Sequence, residues 1–122
     1  MIVEDNEIVK NSLESYFNDQ EGLIVTATAG DGEIASKLLS SGITCDVLLT
    51  DLNMPRMDGL QLTDFVANNH PAIPIVISTM SDEPGIRELA KFFGAKAILS
   101  KCRPLPELLE TVRRLAAGET LV

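Results

Sequence analysis

With 122 residues, 45% of them hydrophobic, the chain is long enough to bury one core without disulfide staples and reads as a single globular domain. A formal net charge of −8 works against contact with phosphate backbones, so no direct nucleic-acid binding is expected of this segment. No apolar run approaches the roughly 20 residues of a membrane span, and no basic segment leads into an apolar one as in a secretion signal.

Met1-Ile2-Val3 reads as the end of a first strand. A helical pattern follows, with Val9, Leu13, Tyr16 and Phe17 at i, i+4, i+7 and i+8, and Gly22 lies just past its end. Leu23 to Ala29 reads as a second strand, and a weaker helical pattern starts after the turn signal Asp31-Gly32. Val47 to Thr50 is the third strand, followed by another weak helical pattern after Asp58-Gly59. Ile75 to Ser78 is the fourth, leading to a helix whose face of Ile86, Leu89, Ala90 and Phe93 ends at Gly94. Ala97 to Ser100 is the fifth. The last helix carries the cleanest stripe, Leu105, Leu108, Leu109, Val112, Leu115 and Ala116, closed by Gly118.

Three of the strands are nearly continuous apolar runs, as strands covered on both faces require. Strict βα alternation predicts a parallel sheet with right-handed crossovers. The expected architecture is α/β: a flavodoxin-like (βα)5 doubly wound sandwich whose five-stranded parallel sheet has order 2-1-3-4-5. The alternation is read from the residues and the order from the class. In such sheets ligands bind outside the carboxyl ends of the strands, near the switch between strands 1 and 3.

At those ends the chain places Glu4-Asp5, Asp51, Thr79 and Lys101. Two carboxylates about 5 Å apart repel by roughly 3 kcal/mol at an effective dielectric near 20, so three together need a proton, a lysine or a metal. Lys101 offsets one charge. An all-oxygen acidic site with room for water suits Mg²⁺ better than zinc or a dedicated calcium cage. A carboxylate can attack phosphorus to form an acyl phosphate, and Asp51, at the end of a rigid strand, is the better nucleophile candidate. Asp58 looks like a helix cap and Asp31 like a turn residue. Cys45 and Cys102 lack metal-type spacing, and His70, before Pro71, reads as a solvated connector. A reduced, cytoplasmic compartment is expected.

The stretches "VEDN" (Val3 to Asn6), "TDLNMPRMDG" (Thr50 to Gly59), "IPIVISTMSDE" (Ile73 to Glu83) and "GAKAILSK" (Gly94 to Lys101) resemble receiver domains of bacterial two-component response regulators. They fall in the right order and spacing over essentially the whole chain, and the second is the most specific. The resemblance implies that Asp51 accepts a phosphoryl group from a phosphohistidine of a sensor histidine kinase. It implies Mg²⁺ bound by the side chains of Asp5 and Asp51, the backbone carbonyl of Asn53, and Glu4 through water. Thr79 looks like the switch hydroxyl and Lys101 like the site lysine. Such a domain catalyses only its own phosphorylation and dephosphorylation.

Three positions depart from the family pattern. Ile98 stands where an aromatic switch residue is common, Met80 where a small residue is common, and Cys102-Arg103 intervene between Lys101 and Pro104. The tail from Ser100 is similar to the nitrate-regulator subgroup, whose receivers precede a LuxR-type helix-turn-helix. On that resemblance, residues 1–122 are expected to be one receiver unit cut from a longer transcription regulator, with possible homodimers on phosphorylation. Phe92, off the packed face of its helix, is expected to form a partner surface with Ile98. The rival readings are a phosphorylation-independent pseudo-receiver, a haloacid-dehalogenase-type phosphatase and a flavodoxin. The phosphatase needs an acid where Asn53 stands, and Glu4-Asp5-Asn6-Glu7 would repel a flavin phosphate.

Overall fold

The computed structural model describes residues 1–81 and 83–122; Asp82, within the "IPIVISTMSDE" stretch, lies outside the described residues. Strands and helices alternate along the chain: β1 (Ile2–Val3), α1 (Glu7–Asn18), β2 (Thr28–Ala29), α2 (Gly32–Ser40), β3 (Leu48–Asp51), α3 (Gly59–Asn69), β4 (Ile75–Thr79), α4 (Ile86–Phe93), β5 (Ala97–Ser100) and α5 (Leu105–Ala116). The strands form one parallel sheet of order β2-β1-β3-β4-β5, as the alternation and class predict.

Side-chain alternation along the strands feeds two cores. Leu48, Ile75, Ile77 and Ile98 face Ala35, Leu39, Leu62, Val66 and Ala90, so α2, α3 and α4 cover one face of the sheet. Ile2, Leu49, Val76 and Ala97 face Phe17, Leu108, Val112 and Leu115, so α1 and α5 cover the other. Each fully buried Leu, Ile or Val contributes about 1.5–3 kcal/mol of hydrophobic stabilisation, which makes the strand ends a rigid platform.

The second strand is shorter than its apolar pattern suggests. Of Leu23 to Ala29, only Thr28 and Ala29 are strand, because β1 offers only Ile2 and Val3 as ladder partners. Val9 and Leu89, expected on packed faces, are exposed, and α4 buries only Ala90 fully. Ile98, at 4% exposure, lies in the core beneath α4 and so cannot share a surface with Phe92, which is 81% exposed. The expected Phe92–Ile98 partner surface is therefore corrected: alternation along β5 turns Ile98 inward. His70 is half-buried rather than fully solvated, closing α3 through its backbone N–H to the Val66 carbonyl, with its ring tilted against Phe65.

Candidate phosphoacceptor site

Parallel register levels the strand ends. Val3 pairs with Thr50, Asp51 with Ser78, and Thr79 with Ser100. The next residues along, Glu4 after β1 and Lys101 after β5, therefore emerge on the same edge as Asp51. Glu4, Asp5 and Asp51 each offer a carboxylate oxygen, and these oxygens all lie within 4.8 Å of one another.

Lys101 bridges the cluster, its ammonium 2.7 Å from Glu4 Oε1 and 3.2 Å from Asp51 Oδ2. Burial alone would lower the Lys101 pKa, but the hydrogen bond to Glu4 and the charges of Asp51 and Glu4 outweigh it and hold the ammonium above the ordinary lysine value. Glu4 is only 3% exposed, and its other oxygen accepts the Asn6 N–H at 3.1 Å. Asp51 Oδ1 accepts the Leu52 N–H at 2.7 Å, so both oxygens of that carboxylate are oriented. Asp5 is exposed and opens the cluster to water. Glu4, Asp5 and Lys101 are thus one charge network, not separate loop residues.

The other expected site residues take different places. Thr79 is buried, and its hydroxyl accepts the Ser81 N–H at 3.0 Å, while its carbonyl accepts the Lys101 N–H at 2.9 Å. Asn53 is exposed two residues beyond Asp51. With Asp58, Met80 and Ser81 it lines a cleft of about 470 Å³ between the β3–α3 and β4–α4 loops. Met80 stands 68% exposed on the rim of that cleft. Asp58 is the cap its sequence suggests: its carboxylate accepts the Gln61 N–H, and the Gln61 side chain accepts the Asp58 N–H. An apolar hollow of about 400 Å³ lies between β1, β3 and the segment before β2, lined by Met1, Val25, Cys45 and Val47, and it holds none of the acidic cluster.

Sequence reading missed the role of Asp31. It caps α2 through the Ile34 N–H at 2.9 Å, is fully buried and pairs with Arg56. Desolvation would raise its carboxyl, but the Ile34 N–H and the Arg56 guanidinium prevail and hold it below the ordinary aspartate value. An Asp-Gly before an apolar-periodic run marks the cap; nothing local marks a partner 25 residues away.

A family profile described as response regulator receiver domain matches residues 1–113. The chain belongs to the response regulator receiver domain family. It is 35% identical over 124 residues to the oxygen regulatory protein NreC of Staphylococcus aureus, covering 100% of this chain and 56% of that relative. Among solved structures, a LuxR-family two-component response regulator from Aurantimonas sp. superposes with a TM-score of 0.92 at 26% identity, covering 100% of this chain and 86% of the other. The signal receiver domain of the response regulator NarL from Mycobacterium tuberculosis gives 0.84 at 28% identity, with 97% and 95% covered. These similarities put this receiver in the NarL/LuxR subgroup. The chain spans about half the length of the curated relatives it matches.

Membership of the receiver family is consistent with phosphorelay signalling in a two-component system, and receiver domains bind Mg²⁺ at an acidic pocket. The oxygen-only donor set of Glu4, Asp5 and Asp51 fits that hard cation. No helix among the described residues is long and apolar enough to cross a membrane.

Proposed function

We propose that this receiver takes a phosphoryl group from the phosphohistidine of a sensor histidine kinase onto Asp51 in a Mg²⁺-dependent step. The observation that carries the reading is the convergence of three carboxylates at the strand ends with Lys101 bridging two of them. An Asp51 carboxylate oxygen attacks phosphorus as the donor's N–P bond breaks, leaving an acyl phosphate. The Leu52 N–H and Lys101 hold the carboxylate in one orientation, which in-line transfer needs. Mg²⁺, held by Asp5, Asp51 and the Asn53 carbonyl with Glu4 acting through water, would neutralise charge on the transferring oxygens. Glu4 is suited to that outer position because Lys101 and the Asn6 N–H already occupy its oxygens.

Lys101, once Asp51 is modified, remains close enough to pair with a phosphoryl oxygen. The Thr79 hydroxyl, which accepts the Ser81 N–H, would donate its own O–H to a phosphoryl oxygen, drawing the β4–α4 loop inward. The resemblance to LuxR-family regulators supports residues 1–122 as one receiver unit that acts on a DNA-binding output domain in the same protein and works in the cytoplasm. The test is incubation with a small phosphodonor, with and without Mg²⁺, followed by intact mass measurement. A hydroxylamine-labile phosphoryl adduct is expected only with Mg²⁺ and not in Asp51→Asn. An adduct persisting in that variant would shift the site, with Asp58 the first suspect; no adduct in the natural sequence would favour a binding-only receiver.

A further inference from the structure

Arg56 is the one non-glycine residue with a positive φ among the described residues, at +64°. Side-chain-bearing residues rarely adopt that conformation unless their surroundings hold them in it. Arg56 is the centre of a tight turn in which the Met57 N–H donates to the Pro55 carbonyl at 2.7 Å, and its guanidinium pairs with Asp31, a fully buried carboxylate at the start of α2. Beside the pair, the Gly32 N–H donates to the Met57 carbonyl at 3.1 Å, and a Cβ on Gly32 would stand 2.6 Å from that oxygen. The far end of the same loop is pinned as closely: the Gly59 N–H donates to the Leu52 carbonyl at 2.7 Å. The segment 52–58 is thus clamped at its base by Gly59 and at its crest by α2, with Asn53 between the clamps.

We propose that the Asp31–Arg56 pair is a positioning device for this loop, holding the Asn53 carbonyl where it serves the metal and so setting the Mg²⁺ affinity of the phosphoacceptor site. The inference rests on the Mg²⁺ site described under the proposed function. Neither residue belongs to the acidic cluster, so both act through the backbone between them. The pair is well suited to this. Asp31 has one oxygen committed to capping α2, so the carboxylate cannot swing to follow a moving loop. Arg56, 59% exposed in its side chain, has limited packing to keep it in place if the pair is broken.

Mg²⁺ binding by the 122-residue chain is measured calorimetrically, alongside thermal melts, for the natural sequence and for Asp31→Asn, Arg56→Ala, Arg56→Gly, Arg56→Lys and the double variant Asp31→Asn/Arg56→Ala. Asp31→Asn keeps an oxygen for the Ile34 N–H and removes only the charge. Each single variant except Arg56→Lys is expected to weaken Mg²⁺ binding by roughly tenfold, the size of effect seen when groups supporting metal ligands are lost. Arg56→Lys recovers part of it, and the double variant binds no more weakly than the singles. Arg56→Gly relieves the backbone strain yet stays weak. Binding within about twofold of the natural chain in the folded single variants, or full recovery in Arg56→Gly, overturns the proposal, since either shows that the pair serves folding alone. Should Arg56→Ala fail to fold, Asp31→Asn decides. If the natural chain itself binds no Mg²⁺, the metal site falls and this inference with it; if it binds and the variants match it, the inference alone falls.

Discussion

Lys101→Met would remove the cation that contacts two carboxylates of the site while keeping most of the side-chain volume. At 2.7 and 3.2 Å and an effective dielectric near 20, the two ion pairs amount to about 6 and about 5 kcal/mol of gross attraction. Most of that offsets the cost of taking three ions out of water, and breaking a buried pair costs about 3–5 kcal/mol net. The Lys101 side chain is 22% exposed, so solvent screens part of its charge and the expected loss is about 2–3 kcal/mol. Urea unfolding followed by circular dichroism, without Mg²⁺ at neutral pH, reads this directly. Mg²⁺ should restore much of the loss and bind the variant more tightly than the natural chain, because it replaces the missing charge. In the natural chain the Lys101 pKa is raised on folding. Its stabilisation is therefore complete below the unfolded lysine value of about 10.4 and is lost as pH climbs through the higher folded value. Lys101→Met should lack that component of alkaline destabilisation. Stability within about 0.5 kcal/mol of the natural chain, with unchanged Mg²⁺ affinity, would refute the view of Lys101 as the bridge of a coupled charge cluster.

Two further substitutions probe the loop that follows Asp51. Gly59→Ala would drive a Cβ into the Asp51 carbonyl oxygen and to 2.9 Å from Leu52 Cα, and neither backbone atom can move without moving Asp51. A loss of about 3 kcal/mol or more in denaturant unfolding, together with impaired phosphoryl uptake, is expected. Asp58→Ala removes one half of a capping box and should cost about 1–2 kcal/mol in the same assay, yet leave the mass shift on phosphorylation intact.

Much of the site is legible in the amino-acid sequence because its residues sit at the ends of strands, and an apolar run that breaks at a charge marks such an end. Asp51 after Leu48-Leu49-Thr50 is the clearest case, and Asp58 before Gly59 carries its cap signature in full. Asp31 shows the opposite. Its turn-like neighbourhood is accurate as far as it goes, but burial and pairing with Arg56 depend on where α2 and the β3–α3 loop meet in space. Phe92 and Ile98 differ for the same reason: a short strand in a covered sheet fixes the direction of Ile98 by alternation, and helix periodicity leaves Phe92 outside.

Local chemistry alone determined the βα alternation, the buried Phe17 of α1, the Leu108, Val112 and Leu115 face of α5, the Asp58 cap, and the types of residue delivered to each strand end. These follow from hydrophobic period and turn chemistry, which act over a few residues. Tertiary structure alone decided the length of β2, the burial of Ile98, the Lys101 bridge from Glu4 to Asp51, and the Asp31–Arg56 tether. Strand pairing and charge contacts across 25 to 97 residues depend on sheet register and loop closure, which no local window contains.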